Sequence, residues 1–116
     1  MTSIYFLGCF KNAVGVGNLN IIPDNQMSAS SQYDANYQAA YGRLNGDRSG
    51  GWCALKAARN DDWLQVDLRR PAEVCGLATQ GNINGNEWVK AFKLSYSSDG
   101  TNWKTYQDAS GTEVVR

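Results

Sequence analysis

The sequence predicts an all-β domain, and three observations carry the prediction. Leu64, Val66 and Leu68 alternate with Gln65 and Asp67, the period of two expected of a half-buried strand. Tryptophan (4) and tyrosine (6) are plentiful, and glycine (12) far outnumbers proline (2), so short runs are closed by frequent turn signals. No long stretch carries helical periodicity. At 116 residues the chain suffices for one domain with a single core.

From the N-terminus, Ile4 to Phe10 is apolar but far shorter than the ~20 residues that span a bilayer. No basic residue precedes it and no small-residue cleavage site follows, so it reads as a first strand or part of a longer chain rather than a secretory signal. The glycines of VGVGNLN suggest irregular backbone. A strand is expected at about Gln26 to Ser31, with Met27 and Ala29 on one side. In Gln32 to Asn45, Tyr33, Tyr37 and Tyr41 would form one stripe on a helix. The segment is polar and uncapped, and a loop with a helical turn fits equally well. Trp52 to Ala54 reads as a short strand or buried anchor.

Trp63 to Gln80 is expected to be the central hairpin, broken at Arg69-Arg70-Pro71 because proline cannot donate to a ladder. Glu87 to Ser97 is the longest expected strand, with Phe92, Leu94 and Tyr96 on one face. Asp99-Gly100 signals a tight turn, Trp103 to Asp108 the return strand, and Ala109 to Arg116 a tail without an evident anchor.

Charge and residue inventory exclude several functions. Lys plus Arg (11) equals Asp plus Glu (11), which argues against a broad nucleic-acid footprint. Histidine is absent, so a histidine triad and a histidine-ligated zinc site are ruled out. Asp61 and Asp62 are adjacent and lack a partner for acid–base work. GNING has neither the strand–helix context nor the basic residue of a phosphate loop. No loop has dense acidic spacing for calcium. No enzyme activity, cofactor or metal is expected. Cys9, Cys53 and Cys75 form no CxxC pair, and their odd number suggests one disulfide and one thiol left over.

Several stretches, in order, resemble the discoidin family, the C-type domain of coagulation factors V and VIII. They are IPDNQMSASS (Ile22 to Ser31), GRLNG (Gly42 to Gly46), GWCA (Gly51 to Ala54), WLQVDL (Trp63 to Leu68), LATQG (Leu77 to Gly81) and EWVKAFKLSYSSDGTNW (Glu87 to Trp103), followed by Tyr106. The resemblance implies a β-sandwich or distorted jelly-roll barrel with ligand-contacting loops at one end. It places residues 1–8 as an N-terminal extension and residues 9–116 as the domain, which stops before the family's closing C-terminal strands. It leaves Cys9 unpaired in this chain and implies a Cys53–Cys75 disulfide.

The resemblance also directs attention to two loops. Gln32 to Tyr41 would present Tyr33 and Tyr37, amphipathic rings suited to sugar faces or headgroup depth. Gly81 to Glu87 would present Asn82, Ile83, Asn84 and Asn86, with Trp88 beside them; asparagine both donates to and accepts from hydroxyls. Packing of these tyrosines on the core, and a plain polar turn in the second loop, are the competing structural readings. Arg43 and Arg48 could meet an anionic headgroup, but Arg43 matches a family position that pairs inside the barrel. Asp67 reads as a structural acceptor. Trp52, Trp63 and Trp103 are expected in the core. The implied function is an extracellular or cell-surface, non-catalytic module that binds a glycan and contributes to cell adhesion. An anionic phospholipid headgroup or a protein partner are the alternatives, and no nucleic acid is expected.

Overall fold

The computed structural model describes residues 3–8, 15–46, 48, 50–56 and 61–115. Among them run eight strands: β1 (Ser3–Gly8), β2 (Met27–Ala29), β3 (Leu64–Val66), β4 (Val74–Gln80), β5 (Phe92–Lys93), β6 (Ser95–Tyr96), β7 (Lys104–Thr105) and β8 (Val114–Val115). The only helical pieces among the described residues are single 3₁₀ turns, Asp24–Gln26 and Ala39–Tyr41. The fold is all-β, as expected. The strands pair antiparallel as β1–β4, β2–β3, β5–β8 and β6–β7.

The expected central hairpin does not form. Both of its strands exist, but β3 pairs with β2 and β4 pairs with β1. The backbone explains the split. Arg69 takes a left-handed φ of 60°, and Pro71 follows it, so the chain leaves one ladder before it joins the other. Asp67 stabilises the departure by accepting the Arg69 amide at 2.8 Å, with the Arg69 guanidinium 3.8 Å away. Asp67 is thus the structural acceptor its sequence context suggested.

The expected long strand at Glu87 to Ser97 is also broken. Phe92–Lys93 pairs with Val114–Val115 and Ser95–Tyr96 pairs with Lys104–Thr105, so the two halves serve different partners. The longest described strand is instead β4. The C-terminal tail finds an anchor after all, through β8. Asp99-Gly100 lies in a wider loop than the two-residue turn expected. There the Asp99 carboxylate accepts the amides of Thr101 and Asn102, each at 2.8 Å, and the Ser97 hydroxyl at 2.9 Å. These bonds, led by that from Asn102, hold its pKa well below the usual carboxylate range.

The core is small. Val16, Ile22 and Met27 are buried together, with Ala39, Val66 and Leu68 packed against them. The β2–β3 register sets Met27 opposite Val66, so the two side chains share the inward face. Among residues 15–46, 48, 50–56 and 61–113, every buried one lies between Gly15 and Trp52. Trp52 is 8% exposed, and its indole Nε1 donates to the Ser31 carbonyl at 2.8 Å. The other tryptophans contradict the expectation of core packing, since Trp63 is 49% and Trp103 46% exposed. Each lies just ahead of its strand, β3 or β7, rather than within it.

Arg43 ties the core to its flanking turns. Its Nη1 donates to the Val16 carbonyl at 2.6 Å and its Nη2 to Asp24 Oδ1 at 2.9 Å. Arg48 grips the same carboxylate with two bonds of 2.8 and 2.9 Å. The Arg48 hydrogen bonds lead in holding the Asp24 pKa well below the usual range; partial desolvation opposes them and Arg43 adds to them. Arg43 is therefore structural, as its resemblance to the family position implied.

The disulfide implied for Cys53 and Cys75 is not made. Cys53 is a free thiol, whereas Cys75 is disulfide-bonded. Cys53 instead sits in the backbone-bonded segment beside Trp52, its Sγ 3.5 Å from the Ala54 carbonyl. Cys75 falls at the bulge where the β1–β4 register shifts between Leu7 and Gly8. Cys9, expected to be unpaired, lies outside the described residues.

Two measurements check this arrangement. Alkylation of unreduced, denatured protein followed by peptide mapping should modify Cys53 and leave Cys75 unmodified; a labelled Cys75 would contradict the pairing. Because Asp24 has a lowered folded pKa, its contribution is present above its ordinary pKa of about 4 and is lost as pH falls through and below that value. Asp24→Asn should cost about 2 kcal/mol at pH 7, less than a fully buried pair because the carboxylate is half exposed. It should also flatten the stability profile between about pH 5 and 2, which urea denaturation across that range would show.

Candidate functional site

Two loops expected to carry ligand contacts are set side by side by a third segment. The first loop is pinned at its base by Cys53. The Tyr33 amide donates to the Cys53 carbonyl at 2.7 Å, and the Cys53 amide donates to the Tyr37 carbonyl at 3.4 Å. Asp34 shapes the turn between them by accepting the Asn36 amide at 2.7 Å. The Tyr33 and Tyr37 rings meet edge to face, with centroids 5.7 Å apart. Tyr33 projects outward, 59% exposed, while Tyr37 is half-buried beneath it.

The loop also rests on a polar hub. Ser30 and Ser31 both donate their hydroxyls to Asp62 Oδ1 at 2.8 Å, and the Leu55 amide donates to Ser31 Oγ at 3.1 Å. Asp62 is thereby a structural acceptor. Its second oxygen is buried without a partner, a cost of about 1–3 kcal/mol that the surrounding bonds offset.

The second loop closes on itself. The Asn82 amide donates to the Glu87 carbonyl at 2.8 Å. The Asn82 side chain locks the tip from inside: its Nδ2 donates to Glu87 Oε2 at 2.8 Å and its Oδ1 accepts the Asn84 amide at 2.9 Å. Both ends of that carboxamide are engaged, so Asn82 builds the loop more than it faces solvent. Gly81 permits this closure, because a β-carbon there would stand 3.0 Å from both the Glu87 carbonyl and the Trp88 Cβ. Ile83, Asn84 and Asn86 are exposed at the tip, Ile83 by 54%. Trp88, at the base, is 62% exposed and Val89 beside it 37%.

The segment Gly50 to Cys53 joins the two. Cys53 holds the first loop, and the Asn82 carboxamide occupies the space that a β-carbon on Gly50 would need. Only Gly51 and Trp52 separate these anchors, a span of at most about 11 Å. The bases of the two loops, at Tyr33 to Tyr37 and at Asn82, thus meet the same short segment. Sequence reasoning missed Gly50 and Glu87, which shape the second loop through Asn82. It also missed Val89, which adds an exposed apolar side chain at the base. Among the described residues no group of acidic or cysteine side chains could hold a metal ion, and no helix is long and apolar enough to cross a membrane.

This all-β scaffold, with paired loops at one surface, has known counterparts. A family model described as the F5/8 type C domain matches residues 26–115. The chain belongs to that family, the discoidin domains, which are non-catalytic, extracellular binding modules. It is 36% identical over 100 residues to the epithelial discoidin domain-containing receptor 1 of Homo sapiens, and equally so to that of Rattus norvegicus and of Mus musculus. Each match covers 81% of this chain and 11% of the receptor, so the chain spans about a tenth of the length of these curated relatives.

The joint at Gly50 is open to test. Gly50→Ala should displace the Asn82 carboxamide and loosen the second loop, at a cost of about 1 kcal/mol or somewhat more. Thermal unfolding should register that loss, and Trp88 fluorescence should change in the folded variant. An unchanged melting temperature and spectrum would show that the two loops do not depend on this contact.

Proposed function

We propose that this domain is an extracellular recognition module that binds a glycan on the surface between Tyr33 and Trp88 and contributes to cell adhesion. What supports the reading is the exposure of Trp88 beside a carboxamide-rich tip and of Tyr33 in the first loop, both loops being tied to the segment Gly50 to Cys53. Sugars present apolar C–H faces that stack on aromatic rings and hydroxyls that pair with carboxamides. Asn84 and Asn86 are exposed at the tip, while Asn82 holds the loop in shape. A pre-shaped loop loses little conformational freedom on binding, which favours affinity. Family membership supports a binding role, since discoidin domains bind ligands such as collagen or glycans.

A specific observation favours a second reading. Ile83 at the tip and Trp88 and Val89 at the base are exposed apolar side chains of the second loop, and such side chains can enter a membrane interface. With 11 basic and 11 acidic residues the chain has no net charge to draw it toward anionic lipid, so the glycan reading is preferred. Parallel binding to galactose resin and to phosphatidylserine vesicles separates the two. Resin binding should weaken roughly tenfold in Trp88→Ala, and clearly in Tyr33→Ala, with folding unchanged. Vesicle binding lost in those variants, with no resin binding, would make the module membrane-docking. Silence in both assays would favour docking to a protein.

A further inference from the structure

The sequence holds two Asn-Gly steps, Asn45-Gly46 and Asn84-Gly85, and one Asp-Gly step, Asp99-Gly100. Such steps can modify themselves. The glycine amide nitrogen gives up its proton and attacks the side-chain carbonyl carbon of the residue before it. From asparagine a five-membered succinimide forms, and the carboxamide nitrogen takes up a proton and leaves as ammonia. One water then opens the ring at either carbonyl, giving aspartate or isoaspartate. Glycine favours the attack because no side chain shields its nitrogen. In an unfolded chain the two Asn-Gly steps are chemically alike, and the fold separates them.

Asn45-Gly46 is tied to the firmest part of the molecule. The Gly46 amide donates to the Arg43 carbonyl at 3.1 Å, and Arg43 is only 4% exposed, with its guanidinium bonded to Val16 and Asp24. Turning that nitrogen onto the Asn45 side chain breaks the bond and disturbs the backbone beside the buried guanidinium. Gln80 also holds Asn45, through its backbone amide at 2.8 Å and its Oδ1 at 3.4 Å. Asp99-Gly100 is exposed, but the Gly100 amide donates to Ser97 Oγ at 2.9 Å. The Asp99 carboxylate, which accepts the Thr101 and Asn102 amides, is kept ionised, and an ionised carboxylate resists a nucleophile.

Asn84-Gly85 is held less. The Gly85 amide donates to the Asn82 carbonyl at 3.5 Å, beyond the usual length of such a bond. Asn84 is exposed, in a part of the chain, residues 61–113, without a buried residue, where local opening costs little. Asn84, like Asn45, has a partner of its own, so the nucleophile and not the carboxamide makes the difference. The loop also requires this glycine. A β-carbon there would stand 2.9 Å from Asn82 Nδ2, the group that ties Asn82 to Glu87.

We propose that, of these three steps, Asn84-Gly85 is the one that deamidates in the folded protein, and that the product weakens glycan binding by the second loop. The second half rests on the reading of that loop as part of a glycan surface. The new carboxylate lacks the donor of the carboxamide and adds a negative charge to the loop that holds Glu87. Isoaspartate in addition lengthens the backbone inside the turn where the Asn84 amide bonds Asn82 Oδ1 at 2.9 Å.

Peptide mapping by mass spectrometry tests it, on protein aged in mildly alkaline buffer with and without concentrated urea. In the folded sample Asn84 should convert at least about tenfold faster than Asn45, and in urea the two rates should converge. Asn84→Gln should stop conversion at that position, because the longer side chain must close a six-membered ring. Equal rates in the folded sample, or an intact Asn84 there while the urea sample converts, would overturn the modification. Aged wild-type protein passed over galactose resin reads the consequence: converted chains should be enriched in the unbound fraction. Even partition of converted and unconverted chains would overturn the effect on binding and leave the modification standing. Resin binding by neither fresh nor aged protein would remove the glycan reading and the effect with it, while the mapping still decides the modification.

Discussion

The buried guanidinium of Arg43 is the interaction on which the arrangement depends. It meets the Val16 carbonyl on one side and Asp24 on the other, with its side chain only 5% exposed. Val16 is the most deeply buried residue of the core, so the bond fixes the turn that delivers it. Asp24 opens the 3₁₀ turn that leads directly into β2 and places Met27 against Val66. Arg48 closes the cluster by holding Asp24 from outside and bonding the Ala40 carbonyl at 3.2 Å. A planar five-donor group can connect so many segments at once; an ammonium at the same place could not keep the geometry. The unpartnered Nε of Arg43 shows that the fold accepts a local cost to retain it.

Much of the fold was legible in local pattern. The alternation at Leu64 to Leu68 marked β3, and the pairing of Met27 and Ala29 on one side marked β2, because burial on one face imposes a period of two. Pairing partners were not legible. The run from Trp63 to Gln80 looks like a hairpin because both strands and a break are present. Which edge each strand joins depends on a single left-handed residue, Arg69, and on partners far away in sequence. The same limit applies to cysteine. Spacing cannot distinguish the bulge position of Cys75 from the loop-anchoring position of Cys53, and the disulfide expected between them was the casualty.

The site was half legible for a related reason. Exposed aromatic and carboxamide residues in glycine-bounded loops could be picked out by type. Their division of labour could not. Asn82, Asn84 and Asn86 look equivalent in sequence, yet one is an internal strut and the other two are exposed at the tip. Gly50 matters through what it lacks, and an absent side chain leaves no trace until a neighbour is seen to occupy its place.

Among residues 15–46, 48, 50–56 and 61–113, burial is confined to the stretch between Gly15 and Trp52, and this contrast gives that part of the domain two tempers. Amides there sit under the tightest packing and should exchange with solvent slowest, whereas the ladders β5 to β8 rest on few buried contacts and open first. The two candidate loops fall on opposite sides of that divide. Tyr33 is carried by the firm part, and the tip at Ile83 to Trp88 by the looser one. A ligand that spans both must order the second against the first. Part of its binding energy is then spent as cohesion, and the occupied domain is a more cooperative object than the empty one.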